Sequence, residues 1–166
     1  MERRIKFSLL AFALSASLCA QAVAKPLEEG MDAYLRGDYA TALKILEPLA
    51  IGGDPAAQSS IGYMLQNGLG LPRDPAKAAN FFHAAADHGY APAMVNLGAM
   101  FEAGIGVPED YIEAYKWYSL AIANFKTAAE ATARDVAEAN RKALEAEMSE
   151  SDLADAKQAV TDWKRK

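Results

Sequence analysis

Cysteine and histidine are nearly absent from this sequence. Its 166 residues include one cysteine, Cys19, and two histidines, His83 and His88. The histidines are five residues apart, which places them on divergent faces of a helix, and neither has a second ligand at a spacing typical of zinc sites. We therefore expect solvent-exposed histidines, no metal site and no cofactor.

A hydrophobic run long enough to cross a membrane is also missing. The apolar stretch 7–20 is interrupted by Ser8, Ser15 and Ser17 and is shorter than the roughly 20 residues that a membrane-spanning helix needs. It follows a positively charged start and precedes residues 22–24, which read AVA and offer small side chains where a signal peptidase cuts. We therefore predict that residues 1–24 are a secretory signal peptide, with an uncleaved membrane anchor as the alternative. The mature chain would be periplasmic, or else secreted, and it would contain no cysteine for disulfide or thiol chemistry.

Positive charge is in deficit. After cleavage the chain would keep 14 Lys and Arg against 21 Asp and Glu, a net charge of −7, because Glu2, Arg3, Arg4 and Lys6 are removed. Phosphate backbones and anionic lipids repel such a chain. We expect no nucleic-acid partner and no membrane insertion of the mature protein.

Two loops have nearly the same sequence. Residues 67–74 read NGLGLPRD, and residues 103–110, which lie 36 positions later, read AGIGVPED. A fixed period of this length is typical of stacked helix-pair repeats. The repeat-defining residues are Gly62, Gly68, Gly70, Asp74 and Ala78 in one copy and Gly98, Gly104, Gly106, Asp110 and Ala114 in the other.

Each of these positions has a physical role in a helix–loop–helix unit. Gly62 and Ala78 are small, so they would let the two helices of a unit approach closely. Gly68 can end the first helix in the left-handed conformation, and Gly70 gives the loop a second permissive bend. Asp74, which is followed by proline, is typical of a helix N-cap. A phosphate-binding loop is not predicted, because no strand precedes the glycines and no Gly-Lys-Ser/Thr follows them.

The motif AxxxxGxxLxxGxGxPxDxxxAxxFFxxAA and its second copy resemble Sel-one-like repeats (SLR), relatives of the tetratricopeptide repeat. A shortened third copy lies upstream, where residues 30–43 read GMDAYLRGDYATAL. The resemblance implies an all-α fold: a short right-handed α-solenoid of about three helix pairs that binds other proteins, often in the bacterial envelope. We assign residues 25–124 to this repeat domain.

The remaining residues, 125–166, are predicted to form a helical C-terminal cap over the last apolar face of the stack. Residues 125–148 contain no glycine or proline and favour helix, with Val136, Leu144 and Met148 on the apolar face. Ser149 can cap a final helix, whose apolar stripe comprises Leu153, Ala156, Val160 and Trp163. A long, partly detached helix is the competing interpretation.

No arrangement of residues predicts catalysis. Ser59 and Ser60 have no histidine at a predictable distance and no strand–turn–helix elbow around them. The carboxylates of residues 125–148 are predicted to lie on a polar helix face, which is not an argument for paired acids. We expect a protein that is not an enzyme, and a small envelope hydrolase remains as an alternative.

Binding is predicted through the architecture that the resemblance implies. By analogy with tetratricopeptide units, first-helix residues would line a concave groove. The candidate groove residues are Met31, Tyr34, Leu35, Ser59, Tyr63, Gln66, Asn67, Val95, Ala99 and Glu102. Tyr63 is the strongest candidate, because its equivalent is Ala99 and packing therefore does not demand an aromatic ring there. Met31 and Tyr34 could instead be core residues of the shortened repeat.

We therefore expect an exported adaptor that holds a peptide or helix of another envelope protein in this groove. A regulator that masks a sensor or enzyme, docking as a rigid unit through its convex face or its tail, is the alternative. The sequence does not determine the identity of the partner or the oligomeric state.

Overall fold

The computed structural model describes residues 25–163 of the chain. The predicted signal peptide, Cys19 and the last three residues lie outside the described residues. Within the described part the fold is all-α, in agreement with the prediction. The helices are α1 (residues 25–35), α2 (Tyr39–Ile51), α3 (Pro55–Asn67), α4 (Pro75–Asp87), α5 (Ala91–Ala103), α6 (Tyr111–Asn124), α7 (Ala131–Glu147) and α8 (Glu150–Trp163).

Aspartate side chains cap the N-terminus of the second helix of each repeat and of α3. The carboxylates of Asp38, Asp74 and Asp110 accept hydrogen bonds from backbone N–H groups three residues later, at 2.9–3.1 Å. Asp54 does the same at the start of α3, at 2.8 Å. Each bond satisfies a donor that the first helical turn would otherwise leave free. The predicted N-caps Asp74 and Asp110 are therefore confirmed.

The two loop glycines of each copy adopt the left-handed conformation that the sequence predicts. Gly68 and Gly104 end α3 and α5 with φ of 72° and 62°. Gly70 and Gly106 follow with φ of 71° and 77°. These values lie in a region that side chains resist, which explains the recurrence of glycine at all four positions.

The loops also join one repeat to the preceding one, which the sequence did not predict. A methyl group added at Gly70 would lie 2.7 Å from Cβ of Tyr39, at the start of α2. A methyl group at Gly106 would collide with the backbone carbonyl of Pro75, at the start of α4. The second glycine of each loop therefore permits both a backbone bend and a close contact between neighbouring repeats.

Helix pairs approach closely at the interior glycines. An added Cβ would lie 3.0 Å from the ring of Phe82 at Gly62 and 2.8 Å from the ring of Tyr118 at Gly98. Ala78 and Ala114, the small residues predicted for the facing helices, are both fully buried. The two helices of each pair can therefore approach this closely only because one of them has a glycine, which has no side chain, at the contact. This agrees with the prediction.

One continuous core runs through the stack. Its largest fully buried side chains include Leu46, Phe82, Leu97, Trp117 and Leu120, which come from α2, α4, α5 and α6. Each helix pair packs against the next, so each repeat buries apolar surface that it could not bury alone.

Helices α7 and α8 both pack against α6, as predicted for a cap. Leu144 and Ala156 are buried, and the indole of Trp163 lies 6.2 Å from that of Trp117, measured between ring centroids. Ser149 caps α8 by accepting a hydrogen bond from the N–H of Asp152 at 3.1 Å. The interpretation as a detached helix is therefore wrong.

Two details of the tail prediction need correction. Helix α7 begins at Ala131 rather than near Phe125, because the carboxylate of Glu130 accepts hydrogen bonds from the N–H groups of Lys126 and Thr127 and so holds this segment outside the helix. The sequence pattern places Val136 on the apolar face towards the core, but its side chain is 49% exposed.

Candidate binding surface

The first helices of the repeats, α1, α3 and α5, supply all the candidate groove residues, and α7 follows them in the stack. Residues of α1 and α3 meet directly, since the hydroxyl of Ser60 lies 3.1 Å from the sulfur of Met31. At the start of α5, burial first and then the carboxylates of Asp54 and Glu130 raise the pKa of Tyr90.

Three tyrosines form a cluster near the ends of α1 and α3. The ring of Tyr34 lies 6.2 Å from that of Tyr63 in an edge-on arrangement and 6.0 Å from that of Tyr39, between centroids. Burial raises the pKa of Tyr34, and the neighbouring phenols of Tyr63 and Tyr39 add to this effect. Tyr63 remains 41% exposed, so the tyrosine cluster has a free aromatic face.

The other candidates on α1 and α3 divide by exposure. Met31 is half-buried and packs against the core, which accords with the alternative considered for it, while Leu35 is 75% exposed. Asn67 is exposed and Gln66 is half-buried. Ser59 is only 7% exposed and cannot line a groove. Its neighbour Ser60, half-buried against Met31, lies on the side that was expected for Ser59.

On α5, the exposed candidate is Ala99, and Val95 is half-buried. Glu102 takes part in a hydrogen-bonded network, because its carboxylate accepts a 2.6 Å bond from the hydroxyl of Tyr118. The same hydroxyl accepts a 3.2 Å bond from the side-chain amide of Asn140 on α7. Burial and the bond to Glu102 raise the pKa of Tyr118 far above its usual range. Glu102 therefore connects α5, α6 and α7, a role that its position in the sequence did not indicate.

A shallow apolar trough of about 320 Å³ separates α5 from α7. Pro92, Val95 and Asn96 form one side, and Ala133 and Val136 form the other. The sequence predicts Val95 on this surface but misses the two α7 residues, since its pattern orients α7 with Val136 towards the core. The apolar face of α7 is broad and consists mostly of alanine, so its pattern does not fix which side of that face meets the core.

Within the described residues, no group of three or more His, Cys, Asp or Glu side chains could hold a metal ion. His83 and His88 are both exposed, and His83 lies with its ring edge-on to Trp117 at 5.2 Å. Among residues 25–163, no helix is both long and apolar enough to cross a bilayer.

The geometry thus defines a class of protein: a helical-repeat solenoid with a two-helix cap. Residues 55–90 and 91–124 each match the family model of the Sel1 repeat. Residues 55–124 are therefore two Sel1 (SLR) repeats, of a family generally linked to protein–protein interactions. The first helix pair lies outside the matched segments, although its sequence resembles a shortened repeat.

Two solved structures are similar to this chain. A protective antigen of uropathogenic Escherichia coli strains, which displays an SLR fold, aligns with a TM-score of 0.74 and 23% identity over 85% of this chain. A Sel1 repeat protein from Oxalobacter formigenes aligns with a TM-score of 0.57 and 34% identity over 59% of this chain. The present chain spans 29% and 39% of those two chains. No curated protein matches it.

Proposed function

We propose that this chain is an exported adaptor that holds a peptide or helix of another envelope protein against its first helices. The family's general link to protein–protein interactions supports binding as such. The more specific proposal depends on the surface formed by α1, α3, α5 and α7, and above all on the tyrosine cluster.

The exposed ring of Tyr63 is the observation on which the proposal mainly depends. Its side chain is 41% exposed, and the equivalent position of the next repeat is Ala99. Stacking of the repeats therefore does not require this ring. Tyrosine is enriched among the residues that dominate binding energy at interfaces, because its ring buries a large area and its hydroxyl can still find a partner. The exposed side chain of Leu35 extends the apolar surface on α1.

The trough between α5 and α7 offers a second place for apolar side chains of the same partner. Its residues Val95 and Val136 are partly exposed, and none of the described side chains that line it is charged. A partner segment with two apolar anchors, one at the tyrosine cluster and one at this trough, fits the surface better than a segment with one.

Export is proposed from residues 1–24 alone, whose charged start, short apolar run and AVA sequence are typical of a cleaved signal. A periplasmic site of action places the partner in the bacterial envelope.

Photocrosslinking in cells tests this proposal. A photoreactive residue placed at Asn67 or Ala99, both exposed, is expected to give one discrete crosslinked protein in the periplasmic fraction. Tyr63→Ala should remove most of that product, because truncating a central aromatic anchor typically costs about 2 kcal/mol or more. Asn80→Ala, an exposed change on α4, is the matched control and should leave the product unchanged.

Retention of the chain in the cytoplasm, or a crosslink that survives Tyr63→Ala, would contradict the proposal. If the crosslink instead disappears on charge reversal at exposed Asp155 of α8, docking through the tail replaces binding at the first helices. Charge reversal at Glu102 is unsuitable as a probe, since it would also break the bond to Tyr118.

A further inference from the structure

Helices α7 and α8 leave a second trough between them, above α6 and separate from the surface proposed to hold the partner. It measures about 380 Å³. Tyr115, Ser119 and Ile122 of α6 form its floor. Arg134 and Arg141 line it from α7, and Lys157 lines it from α8.

The three cations converge because of helix geometry. Arg134 and Arg141 are seven residues apart, so they project from the same face of α7 two turns apart. Lys157 approaches from the opposite wall. Among the described residues that line the trough, none is a carboxylate. This concentration of positive charge is unusual in a chain with 22 acidic and 17 basic residues.

The carboxylates nearby neutralise these cations only in part. Arg134 donates a 3.1 Å hydrogen bond from Nε to Glu138, and Arg141 lies 3.7 Å from Glu145, too far for a hydrogen bond. Glu145 in turn accepts a 3.2 Å bond from the hydroxyl of Tyr115. Burial, followed by the charge of Glu145, raises the pKa of Tyr115. The hydroxyl therefore stays protonated and donates its hydrogen bond to Glu145.

Lys157 forms no ion pair and no side-chain hydrogen bond among the described residues. The i,i+4 ion pairs with Glu138 and Glu145 give Arg134 and Arg141 an ordinary helix-stabilising role. Lys157 has no such pair among the described residues, so helix stabilisation does not explain its position.

Two buried polar atoms at this site also lack partners within the described part of the chain. Nε of Arg141 is inaccessible to solvent and makes no hydrogen bond there. Oγ of Ser119 is likewise buried without a hydrogen bond of normal geometry, although it lies close enough to the Tyr115 hydroxyl to lower that group's pKa slightly. Leaving a buried polar group unpaired costs about 1–3 kcal/mol, but both atoms are closed to solvent, so the charged groups of Arg134, Arg141 and Lys157 that line the trough carry the binding.

We propose that this trough is a binding site for a small organic anion. Its carboxylate or phosphate lies among Arg134, Arg141 and Lys157, and its apolar part lies over Ile122. Guanidinium groups match the planar, two-oxygen geometry of such anions. The site does not depend on the proposed partner surface.

Titration of the full mature chain at low ionic strength tests the site. Inorganic phosphate and succinate are the probes, with calorimetry for stoichiometry and amide chemical shifts for location. We expect saturable binding of one anion per chain, with the largest shifts at Ser119 and Ile122. A short peptide with a free C-terminal carboxylate, compared with its amidated form, shows whether the anion can also belong to a polypeptide.

Lys157→Gln should weaken anion binding about tenfold, the loss expected for one charge-assisted hydrogen bond. Lys142→Gln removes the same charge from an exposed position of α7 outside the trough and should change affinity less than twofold. Absence of saturable binding for every probe, or equal losses in the two lysine variants, would overturn the proposal.

Discussion

Gly106 lies where the loop between α5 and α6 touches the beginning of α4. Its φ is 77°, and an added Cβ would collide with the carbonyl of Pro75. Gly37 has the same φ of 77°, but nothing lies within 4 Å of the Cβ that it lacks. Substituting alanine at Gly37 measures the cost of the backbone conformation alone. The same substitution at Gly106 adds the cost of disturbing a contact between repeats.

Gly106→Ala should lower the free energy of unfolding by about 2–4 kcal/mol, since it combines left-handed strain with overpacking against a backbone. Gly37→Ala should cost only the strain, about 1–2 kcal/mol. Urea denaturation of both variants measures the difference. Equal losses would show that the contact with Pro75 contributes nothing to stability.

The glycines inside the first helices have a different role. Gly98 is in the middle of α5, where alanine would favour the helix by about 1 kcal/mol, yet a methyl group there would lie 2.8 Å from the ring of Tyr118. The recurrence of glycine at positions 62 and 98 is enough to indicate a packing need. Which side chain requires the space cannot be read from the sequence, because the repeat pattern pairs Gly62 with small Ala78 and not with the ring of Phe82.

At the scale of the element, α7 shows how far sequence patterns extend. Its composition predicted a helix, and its predicted end at Met148 lies one residue beyond the observed end at Glu147. Its start was misplaced because the hydrogen bonds of Glu130 override a favourable helix propensity. Its orientation was only partly right, since Leu144 is buried and Val136 is not.

Leu144 and Val136 provide a test of this orientation. Leu144→Ala should lower the free energy of unfolding by about 2–4 kcal/mol, because the side chain is 2% exposed and its removal leaves a cavity against the core. Val136→Ala, on the exposed face of the same helix, should cost less than about 1 kcal/mol. Chemical denaturation followed by circular dichroism checks both values. If Val136→Ala costs as much as Leu144→Ala, the observed rotation of α7 is wrong.

At the scale of the whole molecule, the cap covers the last helix of the repeat stack. Trp117 is 1% exposed and lies between His83 of α4 and Trp163 of α8. Tyr118 is fully buried, and its hydroxyl accepts a hydrogen bond from the side-chain amide of Asn140 on α7. Trp117 and Tyr118 of α6 are therefore both in contact with the last two helices.

Deletion of residues 125–166 should expose this face of α6. We expect the truncated chain to bind a hydrophobic dye, to associate in solution, and to lose several kcal/mol of stability relative to the mature chain. Dye fluorescence and sedimentation, with chain 25–166 as the control, check this outcome. A truncated chain that stays monomeric and unfolds at the same urea concentration would show that the repeats need no cap.

The amino-acid sequence by itself determined the 36-residue period, the aspartate caps of α4 and α6, and the left-handed glycines of the loops. The caps and the glycine turns depend on backbone conformation and on hydrogen bonds between residues a few positions apart, so each repeat contains the information for them. Only the tertiary structure decided that Ser59 is buried and that Glu102 accepts a hydrogen bond from Tyr118. It also decided that Val136 lines the trough beside α5 and that three basic side chains of α7 and α8 line the trough above α6. Each of these depends on how one helix is rotated against another, and many side chains far apart in the chain set that rotation together.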